Sequence, residues 1–267
     1  MEILGYLAAL LIGLSLGLTG SGGSILTVPI LVYLIGLSPV LATSYSLFVV
    51  GVSSLMGGVR FQRRRLVCWK TVFTFGLPSL LTVYITRLFL IPALPAQIVT
   101  WQSVSVSKEM LLMVLFAGLM VWAALRMLGG HDQLEPQVHA APAHKPGMVQ
   151  LQAVFVGFIS GLVGAGGGFL IIPALVLLLQ LNMKQAVGTS LVLIALNSLV
   201  GFLGDLSHYA IDWAFLLTFT GLSVLGILIG TAFAHRLDNR QLKKGFGIFV
   251  LVMGIFILLK EIFWHRP

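Results

Sequence analysis

The chain has 267 residues, of which 58% are hydrophobic and only 9% charged, and its formal net charge is +8. Soluble domains carry about 25% charged residues, so this composition excludes a water-soluble globular protein and indicates a polytopic membrane protein. The basic residues cluster in a few loops between apolar segments, which argues against nucleic acid as a partner. The single Cys68 excludes an intramolecular disulfide.

Ten apolar segments follow one another along the chain, five in each half. They are continuous and do not alternate in polarity, so we predict an all-α membrane protein and not a β-barrel. The stretch between the halves is polar and rich in Pro and Ala. We therefore predict a membrane repeat over 1–128, a cytoplasmic linker over 129–148 and a second membrane repeat over 149–267. The predicted segments are 3–18, 24–37, 40–58, 71–91, 108–128, 149–163, 168–181, 186–204, 213–234 and 245–263.

A glycine-rich turn occurs once in each half. The first reads Gly-Leu-Thr-Gly-Ser-Gly-Gly-Ser at 17–24 and is followed by Pro29. The second reads Gly-Leu-Val-Gly-Ala-Gly-Gly-Gly at 161–168 and is followed by Pro173. Duplication of this kind within an apolar chain is typical of transporters that are built from two structural repeats.

The segments on both sides of each glycine turn are short. Segments 24–37 and 168–181 correspond to about 20 Å of helix, against a hydrocarbon core of about 30 Å. They are either thin or tilted crossings, or the arms of a re-entrant hairpin whose tip lies near the midplane. A third interpretation, in which each turn only kinks one helix, gives four passes per half instead of five.

The distribution of Lys and Arg predicts the orientation in the membrane. With five passes per half, the loops after the third and ninth segments, the linker and Lys184 carry twelve basic residues on one side, against four on the other. Basic loops are cytoplasmic as a rule, so both termini are expected outside. The acidic loop at 205–212 contains no Lys or Arg, although the matching loop of the first half is basic. Such opposite charge is expected of inverted-topology repeats.

The two glycine turns are the candidate binding site. A helix start leaves N–H groups unpaired and carries partial positive charge, and glycine lets a small ligand approach the backbone. Two facing turns therefore offer an anion site, although glycines also allow close helix packing. A Thr-Ser pair follows each proline, and one amide lies inside an apolar segment; these groups contact either a ligand or their own helices. The candidate substrate-binding residues are Gly20, Ser21, Gly22, Gly23, Ser24, Thr43, Ser44, Gly164, Ala165, Gly166, Gly167, Gly168, Thr189, Ser190 and Asn197.

The charged residues lie toward the ends of the apolar segments. Asp205 and His208 are interpreted as members of a solvated outer loop, and Arg87 as a side chain that extends to the membrane interface. This placement argues against a buried carboxylate relay. Coupling of transport to protons or to the membrane potential is left open, and neither a metal nor a cofactor is expected.

These features resemble the TauE/SafE family, which comprises sulfite exporters and related permeases. The resemblance covers nearly the whole chain and rests on the two Gly-x-Gly-Gly turns with their prolines, the Thr-Ser pairs, the basic loop and the polar linker. The turn at 164–168 is the fuller match, whereas Ser21 and Ser24 depart from it. The resemblance implies transport of a small sulfur-containing anion, such as sulfite, thiosulfate or sulfoacetate, across the plasma (inner) membrane of a prokaryote.

Other function classes have to be weighed against an anion transporter that works by alternating access. A permease for another small solute or ion remains an alternative, but a cation is disfavoured because helix starts free donors and not acceptors. The apolar segments contain no His-Glu-x-x-His pair, no carboxylate pair and no Ser–His combination, so the chain is not expected to be an enzyme. A scaffold would leave the duplicated polar groups without a role.

Overall fold

The computed structural model describes residues 2–20, 22–95, 97–101, 104–129, 146–164, 166–177, 179, 181–233 and 239–264. Nearly all of this chain is helical, and each predicted apolar segment corresponds to one helix. The structure therefore confirms the all-α membrane fold. The helices are α1 Glu2–Thr19, α2 Gly22–Pro29, α3 Pro39–Arg63, α4 Trp69–Ile85, α5 Lys108–Gly129, α6 Pro146–Val163, α7 Gly168–Leu177, α8 Met183–Asp205, α9 Trp213–Phe233 and α10 Asn239–Trp264.

Two of these helices continue through a π-helical turn. The turn Ile30–Leu34 follows α2 directly after Pro29, and the turn Thr86–Leu90 follows α4 and leads into Ile91–Ala93. A π turn inserts one extra residue into a helix and recurs at functional positions. The predicted linker falls almost wholly on 130–145, which lie outside the described residues, and the repeat boundaries stay predictions.

A short β-hairpin between α4 and α5 was not predicted. Strand β1 (Gln97–Trp101) pairs antiparallel with strand β2 (Val104–Ser107). The sequence of β2 alternates Val with Ser, which is the two-residue period of a strand. The segment is too short and too polar to extend either neighbouring membrane helix.

Five helices within the described residues are long and apolar enough to cross a membrane: α3, α4, α5, α8 and α9. The helices that flank the glycine turns are shorter, as the sequence predicts. On α1 the large exposed side chains Leu4, Leu7 and Leu11 recur at helical spacing, which is the pattern of a face that contacts lipid.

Helices α3 and α8 form an antiparallel pair at the centre of the molecule. Near the middle of the pair Gly51 packs against Leu199. Toward the end of α3 Phe61 packs against Gly188, near the start of α8. Residue numbers therefore rise on one helix as they fall on the other. A single kinked pass at each glycine turn would make α3 and α8 parallel, so the structure contradicts that interpretation.

Contacts between helices occur in matching pairs, in which the corresponding residue numbers differ by 144. Gly13 of α1 packs against the backbone of Ser223 in α9, and Gly157 of α6 packs against the backbone of Ser79 in α4. The Ser53 hydroxyl donates to Ser223 Oγ at 2.9 Å, and the Ser79 hydroxyl donates to Asn197 Oδ1 at 2.8 Å. Each member of one pair lies 144 positions from a member of the other.

This constant separation corrects the sequence-based pairing of Thr43 with Thr189. The backbone N–H of Cys68 donates to Thr189 Oγ1 at 3.0 Å, and that of Asp212 donates to the Tyr45 hydroxyl at 2.7 Å. Tyr45, not Thr43, is thus the counterpart of Thr189. The pairs Thr43-Ser44 and Thr189-Ser190 lie 146 positions apart, two more than the helix contacts, and the packing of α3 against α8 does not admit this two-residue shift.

Candidate functional site

The second glycine turn is a left-handed backbone segment that leads into α7. Gly164, Gly166 and Gly167 have φ values of 71°, 66° and 69°, a region that is costly for residues with a Cβ. The amides of Leu170 and Ile171 return to the Gly167 carbonyl and close the first turn of α7. Ala165 lies outside the described residues.

Polar side chains from four helices surround this turn. Gly164 packs against Thr43 of α3 and against Nη2 of Arg87. Gly166 packs against the hydroxyl of Ser198 in α8, and Gly167 against Ser160 of α6. A Cβ at any of the three glycines would overlap these atoms. The glycines are therefore needed for the close approach of the backbone to the polar groups.

Arg87 is the central charged group of this cluster. It lies in the π turn after α4, and its side chain is fully buried. Its Nη1 atom donates to Asp205 Oδ2 at 2.9 Å and to Thr43 Oγ1 at 3.1 Å. Asp205, the last residue of α8, is also fully buried. The prediction of an interfacial Arg87 and a solvated Asp205 is therefore wrong. Because both charges are removed from water, each needs the opposite charge beside it. The end of α4 supplies one charge and the end of α8 supplies the other.

The cluster holds more hydrogen-bonding capacity than it uses. In the described part of the chain, Nε and Nη2 of Arg87 and Oδ1 of Asp205 have no hydrogen-bond partner. The same holds for the hydroxyls of Ser160 and Ser198, which lie against the turn, and for Nδ2 of Asn197, the residue before Ser198 on α8. Buried polar atoms are nearly always paired. A buried guanidinium with two free nitrogen atoms is thus suited to bind a small oxyanion.

The structure divides the predicted hydroxyl groups between the two ends of α8. Thr43 binds Arg87, and Ser44 lies beside Asp205. Thr189 accepts the Cys68 amide, and Ser190 donates to the Val187 carbonyl of its own helix. Sixteen residues of helix place Thr189 about 24 Å from Asp205 along α8. Thr189 and Ser190 are therefore not part of the Arg87 cluster.

The first glycine turn has different surroundings. Gly20, with φ 78°, packs against the apolar Val187, and Gly23 packs against Leu16 and the backbone of α1. Gly22 begins α2, and Ser24 is buried, while Ser21 lies outside the described residues. The contacts of Gly20 thus differ from those of Gly164, which touches Arg87 and Thr43. The sequence predicts an anion held between the two glycine turns; among the described residues, the second turn is the one that lies against a charged side chain, Arg87.

A cavity of about 250 Å³ lies next to the cluster, lined by Ser38, Val40, Leu41, Lys108, Glu109 and Tyr209. Val40 connects it to the cluster, because its carbonyl accepts the Thr43 hydroxyl at 2.8 Å. Burial and the charge of Asp205 raise the pKa of Tyr209. This phenol, in the loop after α8, therefore stays protonated at neutral pH.

Sequence reasoning missed Arg87 and Asp205 as site residues. One signal was present, since Arg87 lies inside the predicted apolar segment 71–91 and not in the loop beyond it. Charged residues within membrane segments usually mark function. The partner could not be read from the chain, because Asp205 is 118 positions away.

Comparison with known proteins gives a consistent result over the whole chain. The family model described as sulfite exporter TauE/SafE matches residues 5–257. A "Probable membrane transporter protein" of Xylella fastidiosa (strain Temecula1 / ATCC 700964) is 28% identical, over 94% of this chain and 92% of its own. "Probable membrane transporter protein YunE" of Bacillus subtilis (strain 168) is 25% identical, over 97% and 99% of the two chains. No solved structure matches.

Proposed function

Because this chain belongs to the sulfite exporter TauE/SafE family and is a multi-pass membrane transporter, we propose that it carries a small sulfur-containing anion. Sulfite, thiosulfate and organosulfonates such as sulfoacetate form the substrate class. Each presents several oxygen atoms at one end, which a guanidinium and a set of backbone amides can bind together. The protein acts by binding and release, without chemical change of the substrate.

The observation that carries this proposal is the buried Arg87 against the second glycine turn. Its Nη2 atom faces Gly164 and has no hydrogen-bond partner in the described structure. A substrate oxygen in this position meets a fixed positive charge and the amides at the start of α7. The hydroxyls of Ser160 and Ser198 and the Asn197 amide supply further donors. These neutral donors bind an anion more weakly than a second cation would, which favours release.

We propose that transport occurs by alternating access, which the arrangement of the two halves supports. We propose that they are inverted-topology repeats, with the basic loops cytoplasmic and both termini outside. The antiparallel α3–α8 pair supports this assignment, as do the matching contacts whose residue numbers differ by 144. In such transporters one repeat rocks against the other around a site at their interface. The Arg87 cluster lies at this interface, because α4 and α3 come from one half and α8 from the other.

A permease for another small anion is the second candidate. Arg87 and the glycine turn do not select sulfur over other oxyanions, so the choice of sulfur rests on the family. Small anions such as nitrite or formate have only two oxygen atoms and are expected to make fewer contacts with the cluster. Competition by such anions in the transport assay separates the two candidates.

The test is uptake of labelled sulfite, thiosulfate and sulfoacetate by proteoliposomes that contain the purified protein. We expect saturable uptake of at least one of these anions. Arg87→Gln, combined with Asp205→Asn so that no buried charge is left unpaired, is expected to abolish uptake while the protein remains folded. Arg63→Gln is the matched control, because Arg63 is an exposed arginine at the end of α3. Absence of uptake of all three anions by folded, inserted protein would overturn the proposal.

A further inference from the structure

We propose that Asp205 is the proton-binding group of this transporter. When Asp205 is protonated, the substrate anion replaces it as the partner of Arg87. The inference rests on the proposed function and deepens it, because it assigns a proton as the coupling ion. It would make each transported monoanion enter the site together with one proton.

The first step of the argument is the charge balance of the cluster. Arg87 and Asp205 form an ion pair with no net charge, and neither side chain is exposed to water. Addition of a monoanion leaves one uncompensated negative charge among buried groups. Such a charge is costly in a medium of low polarity. Protonation of the Asp205 carboxylate restores neutrality without movement of any other charged group.

The second step is the geometry of the shared donor. One nitrogen atom, Nη1 of Arg87, binds both Asp205 and Thr43, whereas Nε and Nη2 have no hydrogen-bond partner in the described structure. An anion that displaces the contact between Arg87 and Gly164 therefore meets two nitrogen atoms whose hydrogen bonds are unused. Asp205 Oδ1 likewise makes no hydrogen bond of good geometry in the described structure, although the Ser44 hydroxyl lies beside this carboxylate, and it can receive a proton. When Oδ1 is protonated, Asp205 loses its charge and Arg87 is released to the anion.

The third step is a route for the proton. Tyr209 lies four residues after Asp205 and is close enough for the two groups to act on each other. Tyr209 also lines the cavity that Lys108 and Glu109 border. The titratable groups near Asp205 in the described chain are thus Arg87 from α4 and His208 and Tyr209 from the following loop. Ser44 and Thr43, from α3, add hydroxyls that do not titrate.

The proton balance of one cycle is simple. A proton from the outer side adds to the Asp205 carboxylate as the anion binds Arg87, and no other bond forms or breaks. On the cytoplasmic side the anion leaves, Asp205 loses the proton and the ion pair forms again. A monoanion is then carried without net charge, whereas a dianion carries one net negative charge. The reverse cycle exports the anion together with a proton.

The experiment measures anion uptake and internal pH in the same proteoliposomes, with pyranine as the internal pH indicator. We expect the unmodified protein to take up protons together with the anion, and an imposed inward proton gradient to raise the initial rate at least several-fold. Asp205→Asn is expected to abolish proton uptake and gradient-driven accumulation but to retain exchange of external for internal anion. Asp205→Glu is expected to keep proton coupling, and Asp212→Asn is the control at an exposed carboxylate of the same loop.

The outcomes separate this inference from the proposed function. Anion uptake by the unmodified protein without proton uptake would overturn the inference and leave the proposed function intact, whether or not any variant folds. Proton uptake that persists in Asp205→Asn would overturn it as well. Loss of exchange in a folded Asp205→Asn protein would also do so, because Asp205 would then be needed for binding itself. Failure of the unmodified protein to exchange any of the anions would overturn both.

Discussion

The Nη2 atom of Arg87 lies directly against Gly164, in the space that any side chain at this position would occupy. Arg87 comes from the end of α4 and Gly164 from the turn between α6 and α7. The contact therefore joins the two halves of the chain at the candidate binding site. A side chain at 164 would change the position of the guanidinium.

Gly164→Ala is expected to abolish transport. The φ of 71° costs an alanine about 1–2 kcal/mol of folding free energy, and its methyl group would displace Arg87. Gly118→Ala is the control, since a Cβ at Gly118 meets open space. Uptake and thermal unfolding of both variants in detergent give the measurement. Normal uptake by Gly164→Ala would contradict the close contact between this glycine and Arg87.

Arg87→Gln alone is expected to be less stable than the double variant Arg87→Gln/Asp205→Asn. Removal of one member of a buried ion pair leaves an unpaired charge and typically costs about 3–5 kcal/mol. The double variant replaces both charges by amides of similar size. Comparison of the unfolding temperatures of the two variants in detergent tests this order. Equal stability would mean that Asp205 does not depend on Arg87 for its burial.

Asn197→Ala is expected to lower the free energy of unfolding by about 1 kcal/mol, because the buried Ser79 hydroxyl loses its acceptor. The equivalent change Ser53→Ala removes a hydrogen bond to Ser223 in the other half. We expect a larger loss of transport from Asn197→Ala, since its Nδ2 has no hydrogen-bond partner in the described structure and the next residue, Ser198, lies against Gly166. Equal loss of transport would assign Asn197 a packing role only.

Cys68 allows a test of the orientation without further mutation, because it is the single cysteine of the chain. It precedes α4 and is partly exposed. A membrane-impermeant maleimide is expected to label it in inside-out vesicles and not in intact cells. Cys68→Ser with Glu109→Cys provides the opposite control, since Glu109 is exposed at the other end of the helices. The reverse pattern of labelling would invert the proposed topology.

The helices were predictable because their signal is local. A continuous apolar run of the right length predicts a membrane helix from its own residues alone. The glycine turns are likewise recognisable from their composition. The hairpin at 97–107 escaped prediction because its nine strand residues lie in the short connection between two predicted membrane helices.

The ion pair was not predictable because its stability depends on two residues that are far apart in the sequence. Arg87 viewed alone is a cation near a helix end, for which snorkelling is the ordinary outcome. Only the tertiary approach of Asp205 makes burial tolerable. The register between the halves was not predictable for a related reason, since the similarity of two short Thr-Ser sequences does not reveal which residues the packing of α3 against α8 makes equivalent.

The unequal surroundings of Gly20 and Gly164 have a consequence for the resting transporter. If the two halves were identical and inverted, the outward-open and inward-open states would be related by two-fold symmetry and would have the same free energy. Here Gly164 contacts an arginine, while Gly20 contacts a valine. Under the proposed alternating access, the ion pair is expected to stabilise one of the two states more than the other. The empty protein is expected to rest mainly in that state, so that the two membrane faces present the substrate with different apparent affinities.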